Sequence, residues 1–288
     1  MKVILLFGST LLATAAFAQP KIISQAIIQT TTNVIAPEEE DASNVQQSSG
    51  GFNFRNFGDG ETKSTIYYKD SMVKTVNKTD IGRTTSIRNN AALFTTTLIE
   101  MMGNKTGFYA SDADQAKARL QMDSMMKARM ASDTSASGRR RQATTNPSAP
   151  DIIVTSETKK FAGYVCKKAL IITTGFLGTK DTTIAWFTPD IKFDHMNYTG
   201  GMSGFGIQTS SVNGLDKLDG FVMAYQMKMR RNRVMEVEVT KIDLDKKIDA
   251  KDFDIPKDFD LKPMSEMQKM MRGERRDGGS PVMIMQRP

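Results

Sequence analysis

One cysteine and one histidine in 288 residues exclude most nucleophilic and metal chemistry at the outset. Cys166 has no partner for an intramolecular disulfide, and as a nucleophile it would have only His195 as an imidazole base. A lone thiol of this kind is expected to be structural and buried. His195 stands in Phe193-Asp194-His195-Met196 with no second histidine or cysteine to complete a metal site, so a structural or surface role is expected. A G-x-S-x-G nucleophile elbow is missing as well. The glycine-rich stretch Gly200 to Gly206 fails the dinucleotide fingerprint, and no βαβ unit surrounds it. Asp243-Leu244-Asp245 lacks the glycine and terminal glutamate of a calcium loop, and lysines interleave its acids. The expectation is a protein that is not an enzyme and carries no metal or cofactor.

Long apolar runs are also absent. The run from Val3 to Ala16 falls short of the roughly 20 residues that a membrane-spanning helix needs. Preceded by Lys2 and followed by Ala16-Phe17-Ala18, it has the charge, length and small-residue spacing of a secretory signal peptide cut after Ala18. No cysteine at that point would take a lipid anchor. The expectation is therefore an exported, periplasmic protein that does not span the membrane.

What is present is an ordinary globular composition, 39% hydrophobic and 25% charged, with a formal net charge of +7. The basic excess clusters at Arg139-Arg140-Arg141, at Arg230-Arg231 with Arg233, and at Arg272 with Arg275-Arg276. These read as solvated turns and tails. Were they to bind anything, anionic envelope lipid or an acidic protein surface fits better than nucleic acid, because no aromatic-basic motif accompanies them.

The pattern along the chain is that of strands. Ile22 to Ile35, Thr62 to Tyr68, Met72 to Asn77, Thr95 to Met101 and Lys105 to Ala110 are rich in β-branched and aromatic residues. Lys69-Asp70 and Gly103-Asn104 supply turns. Ile152 to Ser156, Tyr164 to Thr174 and Thr182 to Thr188 continue the pattern. Strict alternation follows: Phe221, Met223, Tyr225, Met227 and Met229 fall on one face and Gln226, Lys228 and Arg230 on the other. After a turn at Arg231-Asn232, Met235, Val237 and Val239 share a face opposite Glu236, Glu238 and Thr240. The two strands form an antiparallel hairpin with one apolar face.

One main helix is expected from Ser111 to Met130. Ser111 and Asp114 make a capping-box-like start, and Ala118, Met122, Met125, Met126 and Met130 form a stripe. A short second helix covers Met264 to Met271. Residues 19–271 read as a single β-rich domain with flexible insertions at 42–60 and 131–150, and 272–288 as a disordered tail. Helices between successive strands are missing, which excludes a doubly wound fold.

Methionine is abundant, 20 in all. Thioethers along the two helices could bind Cu(I), but without cysteine or histidine ligands this is a remote alternative to packing or contact with an apolar ligand.

Gly163-Tyr164-Val165-Cys166-Lys167-Lys168, Ile184-Ala185-Trp186-Phe187-Thr188-Pro189-Asp190-Ile191, Leu218-Asp219-Gly220-Phe221-Val222 and Phe253-Asp254-Ile255-Pro256-Lys257 form a familiar progression. It resembles a secreted bacterial domain-of-unknown-function family with a GYxCKK / W / GFP / F.IP progression, related to the GLPGLI family. The chain departs from the GLPGLI signature itself, with Leu-Asp-Gly-Phe-Val in its place. The resemblance implies a half-barrel like that of periplasmic lipoprotein carriers: a curved antiparallel sheet with an apolar concave face covered by helices. It carries over no catalytic residue.

Two functions follow as expectations. One is a non-enzymatic binder of an apolar ligand, a lipid or acyl chain, lined by Trp186, Phe221, Met223, Tyr225, Met227, Met235, Val237 and Val239. The other is a structural or adaptor protein of the cell envelope, partnered by another envelope protein, in which the same face is simply core.

Overall fold

The computed structural model describes residues 20–35, 60–79, 82–132, 149–174, 180–193, 214–229 and 232–266. The predicted signal peptide, the tail, nearly all of both insertions, His195 and the Gly200–Gly206 stretch lie outside them, as do Met267, Met270 and Met271 of the second helix. Its first residues, Met264 to Glu266, are helical.

The fold is mostly β. Strand β1 (Lys21–Ile23) breaks at Ser24, so the one strand expected from Ile22 to Ile35 is two. An antiparallel meander follows: β2 (Gln25–Ile35), β3 (Gly60–Lys69), β4 (Met72–Thr79), β5 (Gly82–Asn89), β6 (Phe94–Met101) and β7 (Asn104–Ser111). Its tight turns use left-handed backbone at Asp70 and at Met102-Gly103. Helix α1 (Asp112–Ser132) comes next, then β8 (Asp151–Phe161), β9 (Tyr164–Thr174), β10 (Lys180–Thr188), β11 (Ile191–Phe193), β12 (Phe221–Lys228), β13 (Val234–Asp243) and β14 (Asp260–Pro263).

Twelve of these strands make one open sheet in the order β14-β7-β6-β5-β4-β3-β2-β13-β12-β10-β9-β8, while β1 and β11 pair separately in parallel. All neighbours are antiparallel except β14, which runs parallel to β7. The sheet is strongly curved at one end. Three strands separate β8 from β13, roughly 19 Å in a flat sheet, yet their Cα atoms approach within 8 Å.

Strands β5, β11 and β14 are not among the expected ones. β5 is Gly-Arg-Thr-Thr-Ser-Ile-Arg-Asn, with one large apolar residue; it is a strand because β4 and β6 bond both its edges. β14 docks where β7 carries Gly107. A Cβ there would sit 2.6 Å from Leu261 Cδ2 and 3.0 Å from Leu98 Cδ2, so glycine lets these two leucines meet over β7.

The predicted capping box starts α1. Asp114 N donates to Ser111 Oγ at 3.1 Å, and Asp114 Oδ2 accepts from Ser111 N at 3.2 Å. Asp112 is held from below by Arg88 of β5, whose Nη2 donates to Asp112 Oδ2 at 2.8 Å. Of the expected apolar stripe, Ala118 is half-buried and Met125 is 48% exposed, and the side chains of Met122, Met126 and Met130 lie outside the described residues. Among the described residues no helix is long and apolar enough to cross a membrane.

One side of the meander is covered by the chain itself. Ile248 and Phe253, on either side of the start of a short 3-10 helix (Ala250–Phe253), pack on Ile27, Ile87 and Leu98. The lysines of β3 and β4 clamp this segment, Lys69 Nζ donating to the Ile248 carbonyl at 2.7 Å and Lys74 Nζ to that of Asp252 at 2.5 Å.

Candidate ligand-binding face of the sheet

The eight candidate lining residues are drawn into two packed clusters rather than one cavity wall. Register pairs Tyr225 with Val237 and Met227 with Met235, which puts these four on one face as the alternation requires. They pack with Ala185, Phe187 and Val222. A β-bulge then interrupts the alternation: Trp186 opposes Ala224 and Phe187 opposes Val222, leaving Met223 as the extra residue. Phe221 and Met223 accordingly join the other cluster, with Ala26, Ile28 and Ile191, where Val239 of β13 also packs. Trp186, beside Ala185 in β10, points to the face opposite Tyr225 and is only partly buried, packed 5.9 Å from Phe161 between ring centroids. Met223 and Val239 are completely buried, and Phe221, Tyr225, Met235 and Val237 nearly so. Alternation cannot announce a bulge, so the sequence pattern merges two clusters into one stripe.

Cys166 is fully buried, and its thiol donates toward the Tyr164 carbonyl at 3.6 Å. Burial pushes the thiol up to about 11, so it carries no thiolate at neutral pH and is no nucleophile. Asp243 forms a solvated turn, its Oδ1 accepting from Asp245 N at 3.2 Å and Lys246 N at 3.0 Å. Among the described residues no group of three His, Cys, Asp or Glu is placed to hold a metal.

The unusual chemistry lies on the meander. Directly opposed residues of antiparallel strands share a face. One cross-strand row reads Val239, Thr30, Ser64, Asn77, Thr84 and Ile99, from β13 to β6. The next reads Ile28, Ile66, Thr75, Ser86, Thr97 and Phe108, from β2 to β7. Thr32 stands one step beyond the first row, opposite Val237. Threonine, serine and asparagine therefore interleave with aliphatic residues on the side away from Ile248 and Phe253. At the far end this face is closed by β11, whose Phe193 meets Tyr68 edge-on at 5.1 Å and Phe221 at 4.8 Å.

These hydroxyl and amide groups are enclosed. Asn77 is 2% exposed and Ser64 3%. The oxygens of Thr32 and Ser64 and both polar atoms of the Asn77 amide are buried without a hydrogen-bond partner. Leaving one such group unsatisfied costs about 1–3 kcal/mol, and here three adjacent strands each contribute at least one. Sequence reasoning misses these positions because threonine suits a strand and, being polar, reads as solvated. The one signal is the repeated Thr-Thr of three separate strands, at Thr30-Thr31-Thr32, Thr84-Thr85 and Thr95-Thr96-Thr97.

The family model for Domain of unknown function (DUF4412) matches residues 61–259, from β3 to just short of β14. The chain belongs to that family. Two crystal forms of PNGF-II, in space groups C2 and P21, are similar to it at 14% identity and a TM-score of 0.38. The match covers 87% of this chain and 33% of the first form, 88% and 34% for the second, so the chain spans about a third of that protein's length. No curated protein matches.

Proposed function

We propose that this protein is a non-enzymatic, exported binding protein that holds a ligand with an apolar chain against the β2–β7 face of its curved sheet. The observation that carries this reading is the enclosed face itself. It interleaves Ile28, Ile66, Ile99 and Phe108 with buried hydroxyl and amide groups that the protein leaves unsatisfied. A fold that needed only stability would place aliphatic residues at those positions. The buried, protonated thiol of Cys166 supports a binding role over a nucleophilic one.

Export is part of the proposal and rests on the signal-peptide pattern of residues 1–18, with the periplasm as destination. The likeness to GLPGLI-related secreted families, through Gly163 to Lys168 and Phe253 to Lys257, points the same way. Native mass spectrometry of the protein after mild extraction tests both parts. A bound small molecule on a chain beginning at Gln19 is expected; an intact Met1 terminus refutes export, and a bare chain that takes up neither a charged nor an uncharged fluorescent acyl probe refutes binding.

A second reading, a structural or adaptor protein of the envelope, draws on the packing of β12 and β13. Their apolar side chains fill two cores, with Met227 and, from β10, Trp186 packed against them and partly buried.

A further inference from the structure

We infer that Thr32, Ser64 and Asn77 form a head-group site for an uncharged amphiphile whose polar group both donates and accepts hydrogen bonds. This rests on the binding function proposed above and specifies its ligand. The three residues occupy neighbouring strands: Ser64 of β3 directly opposes Asn77 of β4, and Thr32 of β2 lies two residues along from Thr30, the partner of Ser64. Asn77 leaves both halves of its amide open, so a complementary group must present an acceptor to Nδ2 and a donor to Oδ1. The hydroxyls of Thr32 and Ser64 serve in either sense. A primary amide or a hydroxyl meets that requirement.

The electrostatics select against an ionised head group. The two rows from β2 to β6 carry no charged side chain. On the same face Arg88 is already paired with Asp112, and Lys262 with Asp260 at 2.9 Å at the β14 edge. A carboxylate enclosed beside Asn77 would lose its hydration without gaining a counter-charge. An uncharged group loses less and keeps every hydrogen bond, in surroundings where each bond counts for more than in water. Ile28, Ile66 and Val239 adjoin the polar residues along and across the strands, giving the hydrocarbon part an apolar bed.

The test compares oleamide with oleate, two probes with the same chain and different head groups, by titration calorimetry on the delipidated mature protein. Oleamide is expected to bind at least tenfold more tightly. The Asn77→Leu variant should lose at least tenfold in oleamide affinity and no more than twofold in oleate affinity, while its ligand-free thermal midpoint stays level or rises. Ser64→Ala should show the same trend more weakly. Equal or tighter binding of oleate overturns the assignment, as does an Asn77→Leu variant with unchanged oleamide affinity or a lowered midpoint; oleate binding that survives leaves the broader binding function standing. If neither probe binds, the head-group assignment falls, and the binding function falls with it only when the extracted protein also carries no small molecule.

Discussion

Met223→Ala decides whether the apolar centre of β12 is core or cavity wall. Met223 is completely buried, sits at the β-bulge and packs in the cluster of Ile28, Phe221 and Val239. Truncation to alanine removes the thioether arm and leaves a void that a bulged, hydrogen-bonded strand cannot collapse to fill. Such truncations cost about 2–5 kcal/mol. In a domain of this size each kcal/mol lowers the thermal midpoint by roughly 2–4 °C. Urea unfolding of the mature protein should therefore show a lower midpoint with an unchanged slope, and calorimetry a fall of about 4–20 °C. Met223→Leu, which keeps most of the volume, should cost under about 1.5 kcal/mol. If Met223→Ala costs less than about 1 kcal/mol, the side chain borders empty space and the packed-core account of β12 is wrong.

The thiol of Cys166 should resist Ellman's reagent at pH 8 in the native protein and react fully once the protein is denatured. Because its folded pKa is raised from 9.0 to about 11, its contribution to stability is complete below pH 9 and is lost as pH climbs toward 11. Tyr225, also pushed up by burial, adds to the same alkaline loss, and unfolding curves from pH 8 to 11 measure both. Asp112 has the opposite sign: the hydrogen bond from Arg88 holds its carboxyl below the ordinary range, so its contribution is present at neutral pH and lost on acidification. Asp112→Asn should cost about 1 kcal/mol at pH 7 and progressively less as acid protonates the carboxyl, and a cost that does not fall with pH would show that the charge does not matter. Gly107→Ala should lower stability by about 1–3 kcal/mol by pushing Leu261 off Leu98, and an unchanged midpoint would mean that β14 is not docked. Thr32→Val, which deletes an unsatisfied hydroxyl and keeps the shape, should leave ligand-free stability level or raise it by about 1 kcal/mol; a clear loss would show that the hydroxyl has a partner.

The legible part of the fold was the part governed by local rules. The start of β9 and the start of α1 follow directly from hairpin and capping chemistry at Ala162-Gly163 and Ser111 with Asp114. The pairing of Tyr225 with Val237 follows from strict alternation in two strands joined by a tight turn at Asn232. What escaped was decided by distant partners. β5 is a strand because of its neighbours, and β14 because Gly107, over 150 residues earlier, leaves room for Leu261. The bulge at Met223 is a property of the β10–β12 pairing, which neither strand's own pattern contains. The Thr32, Ser64 and Asn77 group needs the register of three strands at once, which no single segment encodes.

The two faces of the meander also divide the roles of its polar residues. On the side of Ile248 and Phe253, polar groups are used for closure: the lysines of β3 and β4 reach the backbone carbonyls of the covering segment. The Lys74 contact satisfies a carbonyl in the last turn of the 3-10 helix, and the Lys69 contact one just ahead of its start. On the other side, hydroxyls and one amide lie deeper, buried without such partners. Valine would keep the β-branched shape at Thr32, and leucine would roughly keep the volume at Asn77, with no unsatisfied atom in either case. Packing and strand propensity therefore do not account for the polar choice at these sites, and the proposed recognition of an uncharged polar group is offered to explain it. On the proposed reading, the stability forgone at Thr32, Ser64 and Asn77 is hydrogen-bond energy available to a ligand, so the binding tests are aimed at the meander rather than at the β12–β13 hairpin.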